Sequence, residues 1–215
     1  MDLETEYQGP KRGADRAVLL AHGAGADMHA AALTVVADAL ADAKIPSLRF
    51  QYPYRAAGKK APDRPAVLDA ATRLAATELA RLAKVAPERL VLGGRSMGGR
   101  YCSLVAADPD DPVPCLGLLL LGYPLHPAGK PEKLRVEHLP RLTMPVAFVS
   151  GTRDSLAGQP ALEDAARSVP GAVTFHWLES SDHGFRPLKA SGRTTADVLA
   201  DVAAFSVDWV RALPG

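Results

Sequence analysis

One segment restricts the folds open to this chain more than any other: Gly93-Gly94-Arg95-Ser96-Met97-Gly98-Gly99. It follows the apolar run Arg89-Leu90-Val91-Leu92 and opens Arg100-Tyr101-Cys102-Ser103-Leu104-Val105-Ala106-Ala107, which has helical composition. A strand that passes into a helix through Gly-x-Ser-x-Gly bends the backbone sharply. The residues flanking the serine crowd each other in that bend, so glycine is needed where a Cβ would clash. The bend lifts the Ser96 hydroxyl above the end of the sheet, and the helix start behind it offers free N–H groups to an anion. Taken without its surroundings, such a serine also fits a plain turn or an anion site.

Three further pieces follow in the order a catalytic reading requires. Ala17-Val18-Leu19-Leu20-Ala21 is an apolar strand running into His22-Gly23-Ala24-Gly25-Ala26. A His-Gly-x-Gly turn there supplies one backbone donor for an oxyanion, and the residue after the serine supplies the other, so the N–H groups of Ala24 and Met97 are the expected pair. Pro145-Val146-Ala147-Phe148-Val149-Ser150 ends in Gly151-Thr152-Arg153-Asp154, an acid at a strand end. Thr174-Phe175-His176-Trp177-Leu178 leads into Glu179-Ser180-Ser181-Asp182-His183-Gly184-Phe185, which brings a histidine. The chain order is therefore nucleophile Ser96, acid Asp154, base His183. A serine needs a base to take its proton, histidine titrates near neutrality, and the acid fixes the imidazole tautomer. Asp154 also fits a helix N-cap, with Asp182 as the rival acid. His22 is expected to do structural hydrogen bonding, and His29, His126, His138 and His176 occupy no catalytic position.

Composition sets the frame. A chain of 215 residues with 47% hydrophobic content and a net charge of +1 suits one soluble domain, here taken as residues 1–215. No charge imbalance points to nucleic acid or a membrane surface. The acidic start Met1-Asp2-Leu3-Glu4 is unlike a secretory signal, and the run Leu116–Leu121 is too short to span a bilayer, so a cytoplasmic protein is expected. Cys102 and Cys115 read as reduced thiols, no zinc spacing or phosphate loop appears, and no cofactor or metal is expected.

Strand-like runs at 16–21, 47–51, 90–94, 116–121, 146–150 and 173–178 alternate with helical stretches, which predicts an α/β fold with a mainly parallel sheet. Leu33, Val36, Ala37 and Leu40 mark one helix over 29–43. Leu68, Ala71, Leu74, Ala75, Leu79 and Leu82 mark another over 65–85. The last helix opens at Thr194-Thr195-Ala196-Asp197 like a capping box and carries Leu199, Val202, Phe205, Trp209 and Leu213 on one face. Only about 15 residues precede the first clear strand, so any antiparallel strands at the start are shortened or missing. The connection from Tyr123 to Pro145 is too short for a helical cap, which predicts an open cleft suited to a small substrate.

His-Gly-Ala-Gly-Ala at 22–26, Gly-Gly-Arg-Ser-Met-Gly-Gly-Arg at 93–100, Leu-Gly-Tyr-Pro-Leu-His-Pro at 121–127 and Gly-Thr-Arg-Asp at 151–154 resemble a group of small α/β-hydrolases. That group is related to the dienelactone-hydrolase-like enzymes. It includes the hydrolase-like domain of a subunit of the NSL histone-acetylation complex and a testis-expressed homologue. The resemblance runs over roughly residues 16–212 and implies a compact α/β-hydrolase fold, helices on both sheet faces, and a serine hydrolase of unassigned substrate. Serine in place of the cysteine nucleophile separates the chain from dienelactone hydrolase proper. Membership of a chromatin complex does not carry over. The expected substrate is a small-molecule ester or thioester; a binding module on the same fold, or acyl transfer or perhydrolysis on the same residues, are the alternatives, and the oligomeric state stays open. Tyr52, Tyr123, Leu125 and Phe185 are candidate pocket walls or core packing. Arg55, Lys59, Lys60, Lys130 and Lys133 are expected on the active-site face as a rim for an anionic acyl group. Arg95 and Arg100 are expected to anchor nearby loops by ion pairing, with Asp182 as one partner, or to touch substrate.

Overall fold

Apolar runs flanked by turns become strands, and amphipathic stretches between them become the layers that cover the sheet. The computed structural model describes residues 2–214. Seven strands form one sheet: β1 (Thr5–Gln8), β2 (Ala17–Ala21), β3 (Ser47–Phe50), β4 (Leu90–Arg95), β5 (Gly117–Leu121), β6 (Val146–Gly151) and β7 (Val173–Leu178). Their order is β1-β3-β2-β4-β5-β6-β7, and only β1 runs antiparallel to its neighbour. The helices are α1 (Ala31–Asp42), α2 (Pro53–Ala56), α3 (Pro65–Ala83), α4 (Met97–Ala106), α5 (Gln159–Ala166) and α6 (Thr195–Ala212).

Strand alternation divides the core in two. Leu19, Leu92, Leu118, Leu120 and Phe148 face α3, α4 and α5, while Val18, Leu20, Val91, Leu119 and Val149 face α1 and α6. A parallel sheet covered on both faces needs this continuous apolar content in its central strands. The six expected strands fall within one residue of their observed bounds. Four-residue β1 is the shortened antiparallel strand; its Thr-Glu-Tyr-Gln sequence carries no apolar run. In α3 the buried stripe is Leu68, Ala71, Thr72, Ala75, Ala76, Leu79 and Ala83, with Leu74 turned outward at 36% exposure. In α6 the expected capping box forms, and the buried stripe runs through Val198, Val202, Val207, Trp209 and Val210. Leu199 lies off that stripe, at the edge of a cleft.

The segment from Tyr123 to Pro145 holds a single 3₁₀ turn, Leu139–Arg141, and no α-helix. No described helix is long and apolar enough to cross a membrane.

Candidate active site

The bend between β4 and α4 sets the site. Ser96 stands between them with φ 51° and ψ −114°, a left-handed backbone that a residue with a side chain adopts only under constraint. The constraint is close packing against β2. A Cβ on Gly94 or Gly98 would overlap the Ala21 carbonyl, so both glycines let the bend rest directly on the neighbouring strand. The Ser96 N–H donates to the Leu121 carbonyl at 2.9 Å, which ties the bend to β5.

Two loops bring the partners. After β6, Asp154 is buried, and its Oδ1 accepts the Leu156 N–H at 2.8 Å in a tight turn. Helix α5 starts later, with Gly158 at its N-cap, so Asp154 caps no helix. After β7, His183 places Nδ1 at 2.8 Å from Asp154 Oδ2 and 3.0 Å from Oδ1. Its Nε2 lies 3.0 Å from Ser96 Oγ. A carboxylate accepts only, so Nδ1 carries the proton and Nε2 is left to accept from the Ser96 hydroxyl. Asp182 does different work: its Oδ1 accepts the N–H groups of Gly184 and Arg186 at 2.7 and 3.0 Å and shapes the histidine loop from within.

The turn after β2 is braced from both sides. Tyr54 donates its hydroxyl to the Ala24 carbonyl at 2.8 Å. His22 accepts the Tyr52 N–H on Nε2 at 3.0 Å, so its Nδ1–H donates to the Gly23 carbonyl at 2.9 Å. Burial lowers the pKa of His22, in keeping with a neutral structural imidazole. Among the described residues, neither the Ala24 nor the Met97 N–H has a hydrogen-bond acceptor. Met97 is the first residue of α4, where such N–H groups are left free by helix geometry.

Ser96, His183 and Ala24 line one cleft of about 510 Å³ with Ala30, Ala31, Ala32 and Leu199. Its walls come from the starts of α1 and α6, which the sequence reading did not assign; the alanine run at 30–32 was the available signal. Arg95 and Arg186 line it too.

The proposed pocket walls belong to the core instead. Tyr52, Tyr123, Leu125 and Phe185 are at most 1% exposed. Tyr52 shares a hydrogen bond with Thr72 Oγ1 at 3.0 Å, and Tyr123 donates to the Arg135 carbonyl at 2.8 Å, so both phenols are satisfied inside. Phe185 lies under Arg95, whose Cζ is 4.4 Å from the ring centroid. The expected basic rim does not reach the cleft: Arg55, Lys59, Lys60, Lys130 and Lys133 are absent from its lining. Arg95 and Arg100 make no ion pair within 4.0 Å among the described residues. Arg95 donates through Nη1 to the carbonyls of Leu121 and Gly122 at 3.3 and 3.4 Å, and burial brings its pKa down to about 10 against the pull of Asp154 and Asp182. Arg100 sits beside the Tyr101 ring, 5.8 Å from its centroid. The remaining histidines bond elsewhere, His138 to Ser103 and His176 to Asp201, both at 2.8 Å. No cluster of three or more His, Cys, Asp or Glu suited to a metal occurs among the described residues.

A mostly parallel sheet, helices on both faces and a strand–Gly-x-Ser-x-Gly–helix bend define an α/β-hydrolase fold. The chain belongs to the family described as "Alpha/beta hydrolase domain", which matches residues 14–211. Solved structures of the same shape include a dienelactone hydrolase from Anabaena variabilis, 19% identical, covering 99% of this chain and 93% of that one, with a TM-score of 0.72. Est1E from Butyrivibrio proteoclasticus, solved with ferulic acid bound, is 17% identical over 97% of this chain and 96% of its own, at a TM-score of 0.68. A lid-less α/β serine hydrolase from Xanthomonas campestris is 19% identical over 99% and 91%, at 0.66.

Proposed function

We propose that this protein is a serine hydrolase that cleaves a small-molecule carboxylic ester or thioester through an acyl-enzyme on Ser96. The observation that carries the reading is the continuous hydrogen-bonded chain from Ser96 Oγ through His183 to buried Asp154. His183 Nε2 takes the hydroxyl proton as Oγ bonds to the substrate carbonyl carbon. The negative charge that builds on the carbonyl oxygen falls to the unengaged N–H groups of Ala24 and Met97, each worth about 3–4 kcal/mol when aimed at an oxyanion. Collapse breaks the bond to the leaving alcohol or thiol, which departs with the proton from His183. Water, deprotonated by the same imidazole, then attacks the acyl carbon and frees the acid and Ser96. Asp154 keeps the proton on Nδ1 and steadies the imidazolium between steps.

The open cleft and its small alanine-rich walls favour a compact substrate over a long lipid chain. The likeness to the NSL-complex subunit's domain rests on sequence motifs and adds no partner to this reading. A cytoplasmic site of action belongs to the same proposal.

Intact-mass labelling with a fluorophosphonate tests it. One adduct per chain is expected on the wild type, none on Ser96→Ala, and slow labelling on His183→Ala. Absence of an adduct on folded wild-type protein overturns the catalytic reading and leaves a binding module on a hydrolase fold.

A further inference from the structure

We propose that Arg95 selects the substrate's charge: its guanidinium forms a two-point carboxylate site in the cleft, favouring esters that bear a second, anionic group. The inference rests on the serine-hydrolase reading of the same cleft and adds the chemistry of what enters it.

The bed built for this side chain carries the argument. Gly122 has φ +59°, and a Cβ there would meet Nη1, so the guanidinium rests directly on the backbone just after β5. Nη1 is used up on the Leu121 and Gly122 carbonyls, and the Phe185 ring covers one face. The Nε and Nη2 edge is left. Those nitrogens have no hydrogen-bond partner among the described residues, and Arg95 is one of the residues that line the cleft with Ser96. That edge presents parallel N–H groups at the spacing of a carboxylate, the geometry in which arginine binds two-point.

Electrostatics point the same way. The half-buried Arg95 guanidinium has lost much of its hydration, and Asp154 and Asp182 attract it only from beyond 4.0 Å. A bound carboxylate would supply a counter-ion in direct contact. No Asp or Glu lines the cleft, and Ala30, Ala31, Ala32 and Leu199 complete an uncharged wall. Arg186 also lines it, but its side chain is exposed on the loop and makes no side-chain hydrogen bond that fixes its fork among the described residues. Arg95 and Ser96 line the same cleft, so the hemi-ester of a short dicarboxylic acid is the substrate class that would engage both.

The test compares nitrophenyl hemiglutarate with nitrophenyl valerate on wild type, Arg95→Met, Arg95→Lys and Arg186→Gln. The readout is the ratio of the two kcat/KM values within each protein, so a general loss from the disturbed Phe185 stack cancels. Wild type is expected to prefer the hemi-ester by about tenfold or more, mainly in KM, as a two-point charged contact implies. Arg95→Met is expected to erase the preference and Arg95→Lys to keep only part of it. A wild-type ratio of one or less overturns the proposal. So does a preference that survives Arg95→Met, or one lost only in Arg186→Gln. Calorimetry on Ser96→Ala with monomethyl glutarate against methyl valerate reads the charge site without turnover. Binding of the hemi-ester, lost in the Ser96→Ala/Arg95→Met double variant, upholds Arg95 even if no ester is hydrolysed; equal or absent binding of both compounds removes it.

Discussion

Asp154 carries two duties on one carboxylate, holding the turn after β6 through the Leu156 N–H and holding His183 in a single tautomer. Asp154→Asn preserves size and the turn acceptor but can offer an N–H to His183 Nδ1. The imidazole proton then moves to Nε2, which faces Ser96 and can no longer accept. Folding is expected to survive while kcat falls roughly 10⁴-fold, the loss seen when a triad acid is neutralised. Fluorophosphonate labelling rate beside a thermal melt checks both halves. That Ser96, Asp154 and His183 meet was legible because each follows a strand in a motif whose chemistry names its residue types. Tyr52, Tyr123, Leu125 and Phe185 were not separable from core, because an aromatic or leucine at a strand end satisfies either reading until its neighbours are known.

Among the elements, the tightest demand falls where α4 leaves β4 beside β2. The backbone atoms of Ala21 and His22 would meet any Cβ on Gly98, and none of those atoms belongs to a flexible side chain. Relief requires moving β2 together with the turn that carries Ala24. Gly98→Ala is expected to cost about 3 kcal/mol or more of stability, at the upper end for overpacking, and to slow Ser96 labelling in the fraction that folds. Urea unfolding with an unchanged m-value checks the first part. The central strands were legible because both faces of a parallel sheet must be apolar. Strand β1 was not: its four residues are all half-buried, and it exists because the edge of β3 was available to pair with.

Across the whole molecule, buried imidazoles link stability to pH. His138, which joins Ser103 on α4 to the segment after β5, has its pKa brought down to about 4, chiefly by burial and further by Arg100 and Arg141. His22 is shifted in the same direction by burial. On unfolding, each regains an ordinary value near 6.5 and takes up a proton below it. The unfolded state then binds more protons than the native one, so stability rises with pH through this window. The urea midpoint is expected to be insensitive to these groups above about pH 7 and to fall as pH drops from about 6.5 toward 4. His138→Gln is expected to flatten part of that slope, measured as midpoint against pH for the two proteins side by side.

Periodicity, turn glycines and the order of three motifs were enough to specify an α/β sheet, its central strands, and the serine, acid and histidine to be brought together. Those are local properties: each depends on residues close in sequence and on what a tight turn or a covered strand will accept. Only the tertiary structure decided which side of the sheet opens as a cleft, that alanines at the start of α1 and Leu199 of α6 form its wall, and that the loop lysines stay outside it. It also decided that Arg95 rests on Gly122 and Phe185 with one edge unpartnered among the described residues, since those residues come from the ends of β4 and β5 and from the loop after β7. Cavity shape and the pairing of charges depend on packing between distant segments, and no window of the sequence contains them.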